Sequence, residues 1–155
     1  MHYWRMQLHP SAQDRAVAYT MKSIGLGYIG LDFAKPPGDL TDVPRDKIEN
    51  RQKDYWDFAH TMDIGDKVLI IAHHYPCAVV EVTGAYNYIR RPQEEIGVWF
   101  RHFRRVSVLA YYSDYQTNPA KWEQTTMTDT ISILKANTSI SYKLIEKWSS
   151  HLKTI

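Results

Sequence analysis

One cysteine, Cys77, stands among 155 residues, so the chain can close no internal disulfide and has no cysteine cluster for a structural zinc. It has no run of about 18 consecutive apolar residues, which excludes a membrane-spanning helix. The opening Met1-His2-Tyr3-Trp4-Arg5 is not followed by the apolar core of a secretory leader, so the expected location is the cytoplasm. Neither H-E-x-x-H nor the phosphate-cradling G-x-x-x-x-G-K-[ST] occurs. None of the 17 acidic residues has lysine two positions later. That removes the spacing by which a nuclease strand puts carboxylate and ammonium on one face beside a metal. His73 and His74 are adjacent, point to opposite faces of any strand, and cannot chelate together. No metal or cofactor is expected. The chain itself is not expected to be an enzyme, and any nuclease or GTPase activity would belong to another domain or subunit.

What is present is an ordinary folded domain with an unusual aromatic content. Hydrophobic residues make up 44% and charged residues 23%, which fits a single domain over residues 1–155. Net charge is only +2, too little to imply nucleic acid by itself. Aromatics reach 13%, with 11 Tyr and 5 Trp against 4 Phe, and both favoured types join a flat stacking face to a polar edge. Positive charge is concentrated in Arg90, Arg91, Arg101, His102, Arg104 and Arg105, opposed locally by Glu94 and Glu95.

Alternation predicts a first strand over Tyr3 to Leu8, and Asp14 to Lys22 reads as a short helix. Ser23 to Leu31 reads as a glycine-punctuated strand, ended by Pro36-Pro37-Gly38-Asp39. A helical stripe through Ile48, Tyr55, Phe58, Ala59 and Met62 predicts a helix from Pro44 to about Met62. Strands follow over Lys67 to Ala72, Cys77 to Tyr86 and Val98 to Tyr112, with a polar loop from Asn87 to Gly97 and a closing helix from Ser139. Without regular βαβ alternation, the expected fold is α+β, a mixed sheet of about five or six strands curled toward a barrel and flanked by helices. Trp4, Met6, Phe58, Val68, Ile70, Val79 and Val106 are its predicted core, and Trp4 and Trp56 are read as core rather than site residues.

Gly25-x-Gly27-x-x-Gly30 matches the dinucleotide fingerprint letter for letter. The fingerprint needs a helix N-terminus directly after it, and Pro36-Pro37 follow too soon. Glycines that admit close backbone approach are the better reading. Cys77 is read as a small core residue, with a small enzyme that uses His73, His74 or Cys77 kept as an alternative. What remains is aromatic and basic: Tyr28 among glycines, Tyr86, Tyr88 and Trp99 around the loop of Arg90 and Arg91, then Arg101, Phe103 and Arg105 on one strand face with His102 and Arg104 on the other. Rings that hold a base beside arginines that hold phosphates are the ingredients of a nucleic-acid site.

These residues resemble a known family. Tyr3-Trp4-Arg5-Met6-Gln7-Leu8-His9-Pro10 is similar to the opening strand of EVE domains, and Ile24-Gly25-Leu26-Gly27-Tyr28-Ile29-Gly30 to their second strand. Trp56-x-Phe58-x-x-x-Met62-x-Ile64-Gly65-Asp66-x-Val68-Leu69-Ile70 resembles the family's helix-to-strand junction. Glu81-Val82-Thr83-Gly84-x-Tyr86-x-Tyr88 and Arg104-Arg105-Val106-x-Val108-Leu109 resemble its later strands. The resemblance runs from residue 3 to about 110 and is nearest to the restriction-associated members, such as the N-terminal domains of McrB-type proteins. Stand-alone EVE proteins carry Trp-Asp-Gly-Val-Arg-Asn where this chain has Leu26-Gly27-Tyr28-Ile29.

The resemblance implies a PUA-like pseudo-barrel shared with YTH domains, and a module that reads a modified base of DNA flipped into an aromatic pocket. An RNA-modification reader or RNA-processing factor is the alternative within the fold. The implied pocket comprises Tyr28 and Trp99 as walls, Tyr86 or Tyr88 closing the side, and Gln7 and His9 bonding a base edge. Arg90, Arg91, Arg101 and Arg104 are the expected phosphate contacts. The implied partners are modified DNA and an AAA+ GTPase or nuclease component of a modification-dependent restriction system.

Overall fold

The structure, a computed structural model, describes residues 1–8, 15–32, 36–72, 75–96, 98–112, 130–135 and 139–152. Among the described residues seven strands make one mixed sheet: β1 (Tyr3–Gln7), β2 (Tyr28–Leu31), β3 (Lys67–Ala72), β4 (Tyr75–Val82), β5 (Asn87–Tyr88), β6 (His102–Tyr111) and β7 (Ile131–Leu134). Their order is β2-β6-β4-β3-β1-β7, and β5 pairs with the start of β6. β1 runs parallel to β3, and every other pairing is antiparallel. Helices α1 (Ala16–Gly25), α2 (Lys53–Trp56) and α3 (Ile140–Leu152) flank the sheet. The predicted α+β class, a curled mixed sheet with helices around it, is what the chain adopts.

Burial explains the strand sequences. Val68, Ile70 and Ala72 of β3 join Trp4, Met6, Ile29 and Phe58 in the larger core, whereas Leu69 and Ile71 face Leu144, Ile145 and Trp148 beneath α3. A strand covered on both faces is apolar throughout, hence Val-Leu-Ile-Ile-Ala. All seven predicted core residues are buried. The Trp4 indole N–H donates to Asp66 Oδ2 at 3.0 Å, and the same carboxylate accepts the backbone N–H groups of His2 and Asp63. A core indole thereby keeps its hydrogen bond. Trp56 is only half-buried, donating to the Val43 carbonyl and stacked on His60 at the edge of the domain.

Three local expectations are corrected. Residues 23–25, predicted as strand, are the last turn of α1, and Gly27 at φ +92° ends that helix with its N–H on the Ile24 carbonyl. The predicted continuous helix from 44 to 62 is broken into single 3-10 turns at Arg45–Lys47 and Asn50–Gln52, then α2, then a wide π turn over Asp57–Thr61 closed by Met62 N–H on the Asp57 carbonyl. Ile48 and Glu49 have extended ψ values of 154° and 152°, so no helix passes through them. β7 is a strand that the sequence pattern did not show.

Candidate nucleic-acid interface

β6 organises the site through its two-residue alternation. His102, Arg104 and Val106 point inward, while Phe103 is half-buried and Arg105 exposed on the other face. β2 lies antiparallel beside it with Tyr28 opposite Arg105 and Gly30 opposite Phe103, so these four share one face. There the Phe103 ring meets Tyr28 edge-on at 5.8 Å between centroids, and the Arg105 guanidinium lies 5.6 Å from the centre of the Tyr28 ring. Both distances suit quadrupole-driven contacts.

Trp99 stacks on Tyr19 of α1 at 5.5 Å with 21° between planes, and Lys22, one helical turn further along, lies 5.3 Å from the Trp99 ring centre. Tyr28 and Trp99 therefore each carry a cation on a ring, but each has its own protein neighbours. Arg90 and Arg91 are exposed beside a groove of about 600 Å³ lined by Ile89 and Gln93. Neither arginine is in an ion pair among the described residues.

Tyr86 and Tyr88 have a different setting. Tyr88 pairs with His102 across the β5–β6 ladder and packs on its ring at 5.0 Å. The Tyr86 hydroxyl donates to His102 Nδ1 at 2.7 Å and accepts the Leu40 N–H, while His102 Nε2 carries a proton to the Pro37 carbonyl at 2.9 Å. These bonds define the neutral Nε2–H tautomer and tie the Pro36–Leu40 loop to the sheet. Burial pushes the Tyr86 hydroxyl up to about 12 and pushes the His102 imidazole below its usual range. Tyr55, Tyr86 and Tyr88 face that imidazole, with Asp32, Asp39 and Arg101 the charges that act on it. A folded-state value below the unfolded one (near 6.5) means that stability is fully present above that pH and is lost as pH falls through the folded value. Melting temperature is thus expected to fall on acidification below about pH 6.5. His102→Gln, which cannot titrate, should be less stable at neutral pH but flatter against pH; a slope equal to wild type's would assign the effect elsewhere.

Arg104 is the main correction. It is 4% exposed, and its guanidinium donates to the backbone carbonyls of Phe58, Ala59, Met62 and Gly84 at 2.6–3.1 Å. The π turn leaves its last carbonyls without helical partners, and Arg104 supplies the donors. It is an internal clamp, turned away from any phosphate. Arg101 is half-exposed and paired with Asp32 at 3.3 Å, so its charge is already matched. A cleft of about 710 Å³ opens above Arg104, with Asp63, Asp66, His60, Tyr86 and Met1 on its walls. Of its polar side chains, Arg104, Asp66 and Tyr86 are engaged in the structural bonds just described, and His60 Nε2 bonds the Leu40 carbonyl at 2.6 Å.

Gln7 is half-buried on β1, opposite Ile71, and the sheet order sets β3, β4 and β6 between it and Tyr28. His9, His73 and His74 lie outside the described residues. Cys77 is buried and its thiol is pushed up to about 12 by that burial, which suppresses a thiolate nucleophile. Among the described residues no three of His, Cys, Asp and Glu gather as a metal site, and no helix is long and apolar enough to cross a membrane.

Sequence reasoning missed Arg105, Lys22 and Tyr19 as partners of the two rings. The signal for Arg105 was available: Val106 and Val108 belong to the core face, and their alternation sends Arg104 inward and Arg105 outward.

Residues 4–135 match the family model of a domain of unknown function, DUF8426. The chain belongs to the DUF8426 family. No curated protein matches this DUF8426 chain. Among solved structures it is similar to the YTH domain of the Zygosaccharomyces rouxii MRB1 protein, crystallised in complex with N6-methyladenosine RNA. That similarity has 14% identity and a TM-score of 0.47, and covers 96% of this chain and 86% of that one.

Proposed function

We propose that this DUF8426 domain is a nucleic-acid reader that selects DNA carrying a modified base, within a modification-dependent restriction system. The observation that carries the proposal is the outward face of β2 and β6, where Tyr28, supported edge-on by Phe103, stands beside the exposed Arg105. The exposed Arg90 and Arg91, in no ion pair among the described residues, add phosphate-binding charge. Trp99, with Lys22 over its ring, is the second stacking residue. The sequence resemblance to restriction-associated EVE domains supports DNA as the ligand and a motor or nuclease as partner.

A flipped base loses its stacking in the duplex at a cost of a few kcal/mol, and each protein ring returns roughly 1–3 kcal/mol. One ring offsets little of the flip, so two rings are needed for useful binding. Competition binding with matched DNA and RNA, each with and without methylated bases, tests the reading. Wild type should prefer modified DNA. Tyr28→Ala should cut that preference by about 5- to 150-fold, the equivalent of one stacked ring, with the fold retained and only a small loss of melting temperature from the Phe103 contact. Arg90→Ala and Arg91→Ala should weaken all strands alike and each lower the salt slope by about 1. A preference for modified RNA would keep the site and change the ligand. Equal affinity for modified and unmodified strands of both kinds would overturn the reader.

A further inference from the structure

Resting on the reader function just proposed, we propose that Arg105 is the resident occupant of the Tyr28 ring face. An incoming base takes its place, and the displaced guanidinium moves to a phosphate of the same strand. The ligand class that follows is a neutral base carried within a phosphodiester strand. A free nucleoside lacks the phosphate that receives Arg105, and a base with a fixed positive charge would meet a cation it cannot balance.

Three observations support this exchange. The guanidinium lies 5.6 Å from the ring centre, on the same strand face as the ring. Phe103 meets the same tyrosine edge-on, holding it in place while its partner changes. Arg105 is exposed, and among the described residues no carboxylate is within ion-pair distance of it, which leaves the Tyr28 ring as the partner of its guanidinium there. A weak partner suits exchange. An exposed cation–π contact is worth about two- to five-fold in an equilibrium, less than a phosphate contact returns at low salt. Arg104 next to it, held by four carbonyls, has no such freedom.

NMR of the Arg105 side chain tests the exchange directly. In the free protein its δ-methylene protons should be shifted upfield by the Tyr28 ring current, and Tyr28→Leu should abolish the shift. Titration with a single-stranded nine-nucleotide DNA carrying one central N6-methyladenine should remove the upfield shift at saturation. Arg105→Gln should then move two affinities in opposite directions. N6-methyl-2′-deoxyadenosine as a free nucleoside should bind about two- to five-fold tighter once the ring is uncovered. The oligonucleotide should bind more weakly and with a smaller salt slope.

An upfield shift that persists at saturation would overturn the exchange and leave the reader function standing, as would Arg105→Gln weakening nucleoside and strand alike. Absence of binding by wild type to modified and unmodified strands would end both, whereas a shift absent from the free protein would end the exchange alone.

Discussion

Replacing Arg104 with alanine is expected to lower the unfolding free energy by about 3–5 kcal/mol, because four carbonyls lose a charged donor at about 1–3 kcal/mol each before relaxation. Phe58, Ala59, Met62 and Gly84 belong to two separate segments, the π turn and the turn after β4, and the guanidinium joins them to β6. Urea unfolding at fixed pH measures the loss. Arg104→Lys should recover part of it, since an ammonium keeps the charge but cannot span the four acceptors with a planar fork. If Arg104→Ala were as stable as wild type and instead lowered the salt slope of DNA binding, the clamp would be refuted and the surface role restored.

Gly30→Ala is expected to cost about 3 kcal/mol, at the upper end of ordinary overpacking. A Cβ there would stand 2.4 Å from the His102 carbonyl oxygen and 2.5 Å from both Cβ and Cγ of Phe100. None of these atoms is the far end of a flexible chain, so β2 and β6 must separate. Their separation would also shift Tyr28 relative to Phe103 and Arg105, which the same strand pair holds together. Thermal unfolding measures the stability loss, and the Tyr28–Phe103 contact is followed by aromatic NMR. A Gly30→Ala protein with wild-type melting would mean that this close approach is absent in solution.

The apolar run Val68 to Ala72 announces a doubly covered strand, and its bounds at Lys67–Ala72 emerge as read. The two helices with breaks were harder. Gly25 to Gly30 looks like one strand because glycine is neutral between helix end and extended chain, and only the contacts of α1 with the sheet carry the helix through Gly25. Between Pro44 and Met62 the helical stripe is genuine, but Ile48 and Glu49 are extended and the turns around them are separate. Periodicity records which residues face inward, not whether the backbone between them is continuous.

The residues alone determined an α+β domain with Trp4, Met6, Phe58 and the β3 and β4 runs as its core, because burial demands apolar side chains at regular spacing. They also made close packing the better reading of Gly30, since the two prolines leave little room for a helix directly after it, and the strand pair does approach closely there. Only the tertiary structure decided which arginines are available. Charge looks the same in a sequence whether it is solvated or enclosed. Arg104 is enclosed because a π turn, invisible to pattern, presents carbonyls at the point where β6 passes beneath it. Arg105, one residue on, faces out over Tyr28 because strands alternate and β2 pairs there in that register. A one-residue step in parity separates a structural cation from a free one, and parity is settled by which side of β6 the core occupies.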